Sequence, residues 1–274
     1  MKNLKVLLRS RDRAFTDAYR AAAHSTNAAT EASGSVTWWN GDGQPLWFRP
    51  GSSDPGLIYD IAFKEGEKGE YWLPEWLNPE VILDIGANIG ITARYLAHRF
   101  PKARVVCFEP VAENFAVLRK NTACCSRIEA HQFGLGSADL DIDLVVPTGS
   151  DRNKGGFSLH AAAGDGPRAR VRIRNATAAL AELGIGKVDL IKIDTEGAEF
   201  DILTALPADL VRNCRWIYGE VHSEGLDENT SFKVLHFLSQ THQIGVNKGI
   251  GKKNFSFDAA HPDLAPKLRR FRRR

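Results

Sequence analysis

Cysteine is scarce in this 274-residue chain: Cys107, Cys124, Cys125 and Cys214 are the only four. The adjacent pair fits neither a disulfide framework nor zinc-ligand spacing, so all four are read as reduced thiols of a cytoplasmic protein. No run approaches the roughly 18 consecutive apolar residues that a membrane-spanning helix needs, which makes a soluble or peripheral protein the expectation. Secretion is not expected either, because Lys2 and Lys5 enclose only Val6, Leu7 and Leu8 as an apolar run before Arg9, Arg11 and Arg13. Internal repeats are absent. Net charge is small, with 36 basic against 33 acidic residues, and six of the basic ones (Lys267, Arg269, Arg270, Arg272, Arg273 and Arg274) fall in the last eight positions. Apart from that tail the body is slightly acidic, so it lacks the broad positive face of a nucleic-acid binder. The basic tail, 263–274, is left with weak contact to phosphate or anionic lipid.

What is present suffices for a full core: 43% of the residues are hydrophobic and 25% are charged. Residues 1–35 read as a helix plus linker, with Leu4, Leu8, Phe15, Ala18, Tyr19 and Ala22 near helical spacing. Residues 36–78 start with a β-hairpin, since Val36 to Trp39 and Leu46 to Phe48 flank the turn sequence Asn40-Gly41-Asp42-Gly43. From 79 to 262 short buried runs alternate with amphipathic stretches, the rhythm of βαβ units around a parallel sheet. The strand candidates are Val81 to Leu83, Arg104 to Phe108, Ile128 to Phe133, Val188 to Ile193 and Trp216 to Val221. Ala93, Leu96, Ala97 and Phe100 make one helix face, and Val111, Phe115 and Leu118 a second. Gln243 to Asn247 and Asn254 to Phe257 read as an antiparallel pair.

The strongest chemical signal is Asp84-Ile85-Gly86-Ala87-Asn88-Ile89-Gly90, a glycine loop between a buried strand and a helix. Ligands of open α/β sheets bind at such strand ends, where glycine lets the backbone come close. The loop begins with a carboxylate rather than the glycine of a dinucleotide fingerprint, which favours a cationic ligand over a diphosphate. Glu109 closes the next strand, where a carboxylate can accept hydrogen bonds from ribose hydroxyls or, alternatively, cap the following helix. A nucleoside with a positively charged, phosphate-free arm satisfies both acids, and S-adenosylmethionine is the obvious candidate.

These blocks, with Phe108-Glu109-Pro110, Ile191-Lys192-Ile193-Asp194-Thr195-Glu196-Gly197-Ala198-Glu199 and Glu220-Val221-His222, resemble FkbM-type methyltransferases in order and spacing. The resemblance spans roughly Leu46 to Asp258 and includes Arg49-Pro50-Gly51 with Asp54. It implies an α/β, Rossmann-like class I methyltransferase fold. The sheet would be mostly parallel and seven-stranded, ending in an antiparallel hairpin, with the N-terminal helix and β-hairpin as an extension. It further implies that Asp84, Gly86, Ala87, Asn88, Gly90, Glu109 and Pro110 hold S-adenosylmethionine, with Phe133 and Gly134 walling the adenine. The acceptor class would be a hydroxyl of a glycan or a secondary metabolite.

Methyl transfer to a hydroxyl needs alignment and a base at the strand ends. His222 is read as that base and Asp194 as an orienting carboxylate, the reverse remaining open. Glu196 and Glu199 are expected to cap the helix starting near Ala198. No metal is expected, although Asp194, Glu220 and His222 together would suit a hard cation. Lys192, inside a buried strand, must reach solvent or a carboxylate. The polar insertion from Asn153 to Arg174, with Phe157, resembles a variable substrate segment, and Arg168, Arg170, Arg172 and Arg174 alternate as on a half-exposed strand. The rival readings are an inactive methyltransferase fold binding nucleic acid or an anionic membrane through the tail, and a nicotinamide-dependent oxidoreductase. Oligomeric state is not legible.

Overall fold

The structure is a computed structural model and describes residues 2–22, 33–64, 71–74, 76–145, 168–222, 230–246 and 254–264. The basic N-terminal stretch forms two helices instead of one, α1 (Lys2–Ser10) and α2 (Arg13–Ala22). Arg11 separates them with a left-handed φ of 57°, and Asp12 caps α2 by accepting the Phe15 N–H at 2.9 Å. The break keeps the expected face in α2, where Phe15 is buried and Ala18 and Tyr19 pack on the core, and reverses it in α1, where Val6 is buried and Leu4 and Leu8 point outward.

The hairpin forms as β1 (Gly34–Thr37) and β2 (Pro45–Phe48), and α3 (Asp54–Ile58) runs into a π-helical turn, Tyr59–Phe63. Buried polar groups stitch these elements to the sheet. Asn121 accepts from the Trp47 N–H at 2.6 Å and donates to the carbonyls of Trp47 and Ile89. Arg94 pairs with Asp42 of the hairpin turn and donates to the Asn121 carbonyl. Arg49 and Asp54 form a bidentate ion pair at 2.8 and 2.9 Å with both side chains buried.

The rhythm after Pro79 becomes β3 (Val81–Ile85), α4 (Ile91–Arg99), β4 (Arg104–Phe108), α5 (Ala112–Thr122) and β5 (Ile128–His131). A three-stranded sheet follows, built from β6 (Gly134–Gly136), β7 (Leu140–Val145) and β8 (Arg168–Asn175) in the order β6-β8-β7. The expected strand to Phe133 therefore stops at His131. Gly134 belongs to the second sheet because it lies so close to β8 that a Cβ would meet Ile173 at 2.7 Å. The chain continues through α6 (Ala176–Glu182), β9 (Leu190–Ile193), α7 (Glu199–Ala205), α8 (Ala208–Asn213), β10 (Trp216–His222), α9 (Thr230–Ser239), β11 (Gln243–Val246) and β12 (Asn254–Ala260).

The main sheet has seven strands in the order β11-β12-β10-β9-β3-β4-β5. The last five are mutually parallel, and β12 lies antiparallel to both β10 and β11. This is the class I methyltransferase arrangement. Covered on both faces, β9 buries all of its residues and β3 and β4 all but their first. Ile82, Val105 and Leu190 share one core with α4, α5, Val6, Phe15 and Phe48, while Leu83, Val106 and Ile191 share the other with α6, α7 and α9. Strand order reverses between β3 and β9, and that reversal opens a crevice at their carboxyl ends.

All four cysteines are free. Among the described residues no helix is long and apolar enough to cross a membrane. The arginine alternation is β8, with Val171 buried between exposed Arg170 and Arg172. Residues 153–157 and the tail beyond Leu264 lie outside the described residues.

Candidate active site

The glycine loop after β3 is shaped by its neighbours. Gly86 and Ala87 N–H groups both donate to the Phe108 carbonyl, at 3.0 and 3.1 Å. Gly86 has φ 75°, and a Cβ there would sit 1.9 Å from the Asp194 carbonyl oxygen, so only glycine fits between β3 and β9. Asn88, at φ 50°, donates its N–H to Glu109 Oε2 at 2.8 Å.

A cavity of about 410 Å³ opens at the ends of β3, β4, β9 and β10. Of the residues expected around a cofactor, Gly86, Ala87, Asn88, Glu109, Pro110 and Gly134 line it, as do Asp194 and His222. Asp84, Gly90 and Phe133 do not. Asp84 faces Lys192 across the β3–β9 register and is wholly buried, with its Oδ1 3.2 Å from Nζ. Lys192 in turn donates to the Gly86 carbonyl at 2.6 Å. The Asp84 carboxylate thus acts on the loop through a lysine instead of meeting a cationic ligand itself. Burial disfavours the ammonium, but Asp84, Asp194 and Glu109 outweigh it and hold the Lys192 pKa above its ordinary value. Gly90, at φ 80°, lets α4 approach Leu118 and Thr122 of α5. Phe133 is committed to a tilted contact with Phe108 at 5.4 Å and to the Arg174 guanidinium at 5.3 Å.

Glu109 bridges both candidate segments. It accepts from Asn88 N–H, from Val111 N–H at 3.0 Å and from the Asn114 amide at 3.4 Å. A carboxylate has about four acceptor positions, so roughly one remains for a ligand hydroxyl, fewer than the ribose pair expected from sequence. Burial raises its pKa above the ordinary carboxylate range against the pull of these hydrogen bonds. Asn88 Oδ1 and Asn114 Oδ1 are buried close by and have no hydrogen-bond partner among the described residues. Polar ligand atoms in the cavity would fit that unspent capacity.

Past this end the cavity becomes acidic: Asp194, Glu196, Asp201 and Glu220 line it beside His222. The turn Thr195-Glu196-Gly197 wraps the buried Glu199 carboxylate, whose Oε1 accepts from Thr195 N–H at 2.9 Å and Gly197 N–H at 3.1 Å. Glu199 thus holds the turn ahead of α7 instead of capping the helix itself, the role expected of it, and also meets His222 Nδ1 at 3.2 Å. Glu196 departs from the same expectation. Its left-handed φ of 56° turns it into the cavity, 3.4 Å from His222 Nε2. Asp194 stands 3.9 Å from the same nitrogen and accepts from the Tyr71 hydroxyl at 3.3 Å.

Burial opposes an imidazolium, yet the hydrogen bond to Glu199 and the charges of Asp194 and Glu196 raise the His222 pKa to about 9. Burial, only partly offset by His222, raises Glu196 to about 7, with Asp194, Glu199 and Glu220 adding to the rise. These shifts favour the imidazolium form of His222 and make Glu196 a stronger proton acceptor than an ordinary carboxylate. Asp194, Glu220 and His222 offer ligand atoms within 4.8 Å of one another. Glu196 and Tyr71 were missed as site residues: a backbone dihedral exposes one, and the other comes from outside the motif blocks.

The Methyltransferase FkbM domain model matches residues 84–249. The AMB antimetabolite synthetase AmbE of Pseudomonas aeruginosa is 30% identical over 178 residues, covering 53% of this chain and 8% of the relative. The 2-O-methyltransferase NoeI of Sinorhizobium fredii is 30% identical over 162 residues, covering 54% of this chain and 65% of the relative. A solved structure, Methyltransferase FkbM from Methylobacillus flagellatus, is 17% identical with a TM-score of 0.45, covering 66% of this chain and 43% of that one. The chain spans less than two thirds of the length of each of these three proteins.

Proposed function

This chain belongs to the FkbM methyltransferase family, and on that premise we propose that it transfers a methyl group from S-adenosylmethionine to a hydroxyl of a glycan or secondary metabolite. The observation that carries this reading is the cavity at the sheet's reversal point, lined by Glu109, Asp194, Glu196, Asp201 and Glu220. An acid-lined cavity suits a nucleoside bearing a sulfonium and an ammonium, and it disfavours the diphosphate of a nicotinamide cofactor. Gly86, Ala87, Asn88, Glu109, Pro110 and Gly134 are the residues that would hold it, with Lys192 and Asp84 fixing the loop from beneath. When bound, S-adenosylmethionine supplies an electrophilic methyl group.

The protein's share is positioning and proton removal. Glu199 takes the Nδ1 proton of His222 in a hydrogen bond and so orients Nε2 toward Glu196 and Asp194. In this reading Glu196 accepts the acceptor's hydroxyl proton, the imidazolium keeps the carboxylates from repelling one another, and Asp194 with Tyr71 orients the hydroxyl. Similarity to a 2-O-methyltransferase supports a hydroxyl acceptor.

Calorimetry with S-adenosylmethionine tests the reading. Binding is expected for the wild-type protein, together with a loss of most affinity in Glu109→Ala. Unchanged affinity in that variant, or binding of a nicotinamide dinucleotide in its place, would refute it.

A further inference from the structure

Among the described residues six large hydrophobic side chains are exposed, and four of them, Leu4, Leu7, Leu8 and Trp39, gather at the N-terminal extension. Leu4, Leu7 and Leu8 stand at i, i+3 and i+4 of α1, within about 100° of one another around the helix axis. Val6 and Ser10, on the opposite side, anchor the helix in the core. The apolar stripe of α1 is thus turned to solvent, the reverse of an ordinary surface helix.

Trp39 meets the C-terminal end of α1 from the hairpin: its indole N–H donates to the Arg9 carbonyl at 2.6 Å, and the Arg11 guanidinium stacks 3.5 Å over its ring. Lys5, Arg11 and Arg13 are exposed beside the leucines. The basic character is local. Residues 1–22 hold six basic and two acidic residues, whereas residues 23–266 hold 24 basic and 31 acidic. Of the two local acids, Asp12 is engaged in capping α2 and Asp17 stands beside Arg20.

Leucines edged by lysine and arginine, with a tryptophan at the margin, match the layers of a bilayer interface, where acyl chains lie under anionic headgroups. Nucleic acid would use the charges but leave the leucines in water. We propose that the leucine stripe of α1, with Trp39, Lys5, Arg11 and Arg13, is a docking surface for an anionic phospholipid bilayer. The face is linked to the cavity through the fold: α1 packs on the π-helical turn 59–63, which continues α3, and Leu57 of α3 lines the cavity. Docking there sets the cavity in a fixed relation to the membrane surface.

Sedimentation of the full chain with vesicles tests this. Binding is expected to phosphatidylcholine vesicles containing phosphatidylglycerol but not to phosphatidylcholine alone, and it should weaken as salt rises from ~0.1 to ~0.5 M. The double variant Leu4→Ser/Leu8→Ser should bind at least tenfold more weakly with an unchanged melting temperature, since both side chains are already exposed. A variant lacking residues 267–274 should keep leucine-dependent binding. Three results overturn the proposal: no binding to the anionic vesicles, binding lost with the tail but insensitive to the leucines, or a wild-type dimer in light scattering that the serine variant dissolves.

Discussion

Replacing Glu199 with glutamine tests the electrostatic design of the site. The amide keeps an oxygen for the Thr195 and Gly197 N–H groups but removes the charge beside His222 Nδ1. Two unit charges about 4 Å apart interact by roughly 4 kcal/mol at an effective dielectric constant of about 20. At 1.36 kcal/mol per pH unit, and allowing for relaxation, the His222 pKa should drop by about 2, from about 9 toward 7. The folded value lies above the unfolded value of 6.5. Its contribution to stability is therefore complete below about pH 6.5 and disappears as pH rises through about 9. In the wild-type protein that contribution is about 3 kcal/mol; in Glu199→Gln about 1 kcal/mol or less should remain. Urea unfolding of both proteins at pH ~6 and ~10 reads the difference, with NMR titration of the imidazole as the direct check. A wild-type His222 that titrates near 6.5, or a variant whose imidazole titrates as before, would refute the reasoning.

The proton acceptor can be read from the pH dependence of turnover. With Glu196 as base the rate should level off above about pH 7, and Glu196→Gln should lose two to four orders of magnitude. A rate that keeps rising tenfold per pH unit up to about 9 would return the role to His222. Asp84→Asn leaves the Lys192 ammonium buried without its carboxylate and should cost about 3–5 kcal/mol by denaturant unfolding. The double change Asp84→Leu/Lys192→Met should recover part of that loss. Equal stability of Asp84→Asn and the wild type would mean that the pair does not hold the loop.

The glycine loop, the acid after β4 and the succession of buried strands along the chain were legible because they rest on local pattern: buried runs, turn residues and spacing. Lys192 was legible only as a need for a partner, since Asp84 lies 108 positions away and strand register alone brings the two together. That register also explains the misreading of Asp84, whose place at a strand end resembles a ligand site while its side chain faces the neighbouring strand. Glu196 and Glu199 have the same chemistry three residues apart, but Glu199 is wrapped by the turn ahead of α7 while Glu196, at a left-handed dihedral, faces the cavity. The charge of His222 depends on the carboxylates of another strand-end segment, Asp194, Glu196 and Glu199 after β9, which no local window around residue 222 contains. At the N-terminus the helical spacing continued through Arg11, but the chain breaks there and turns Leu4 and Leu8 to solvent.

A crystal structure grown with S-adenosylhomocysteine reads the acidic cavity most directly. The expected result is a nucleoside whose ribose hydroxyl meets Glu109 and whose sulfur points toward Glu196 and Asp194. A cavity without nucleoside density at saturating ligand, or a nucleoside bound elsewhere on the sheet, would contradict the assignment of this cleft to methyl transfer.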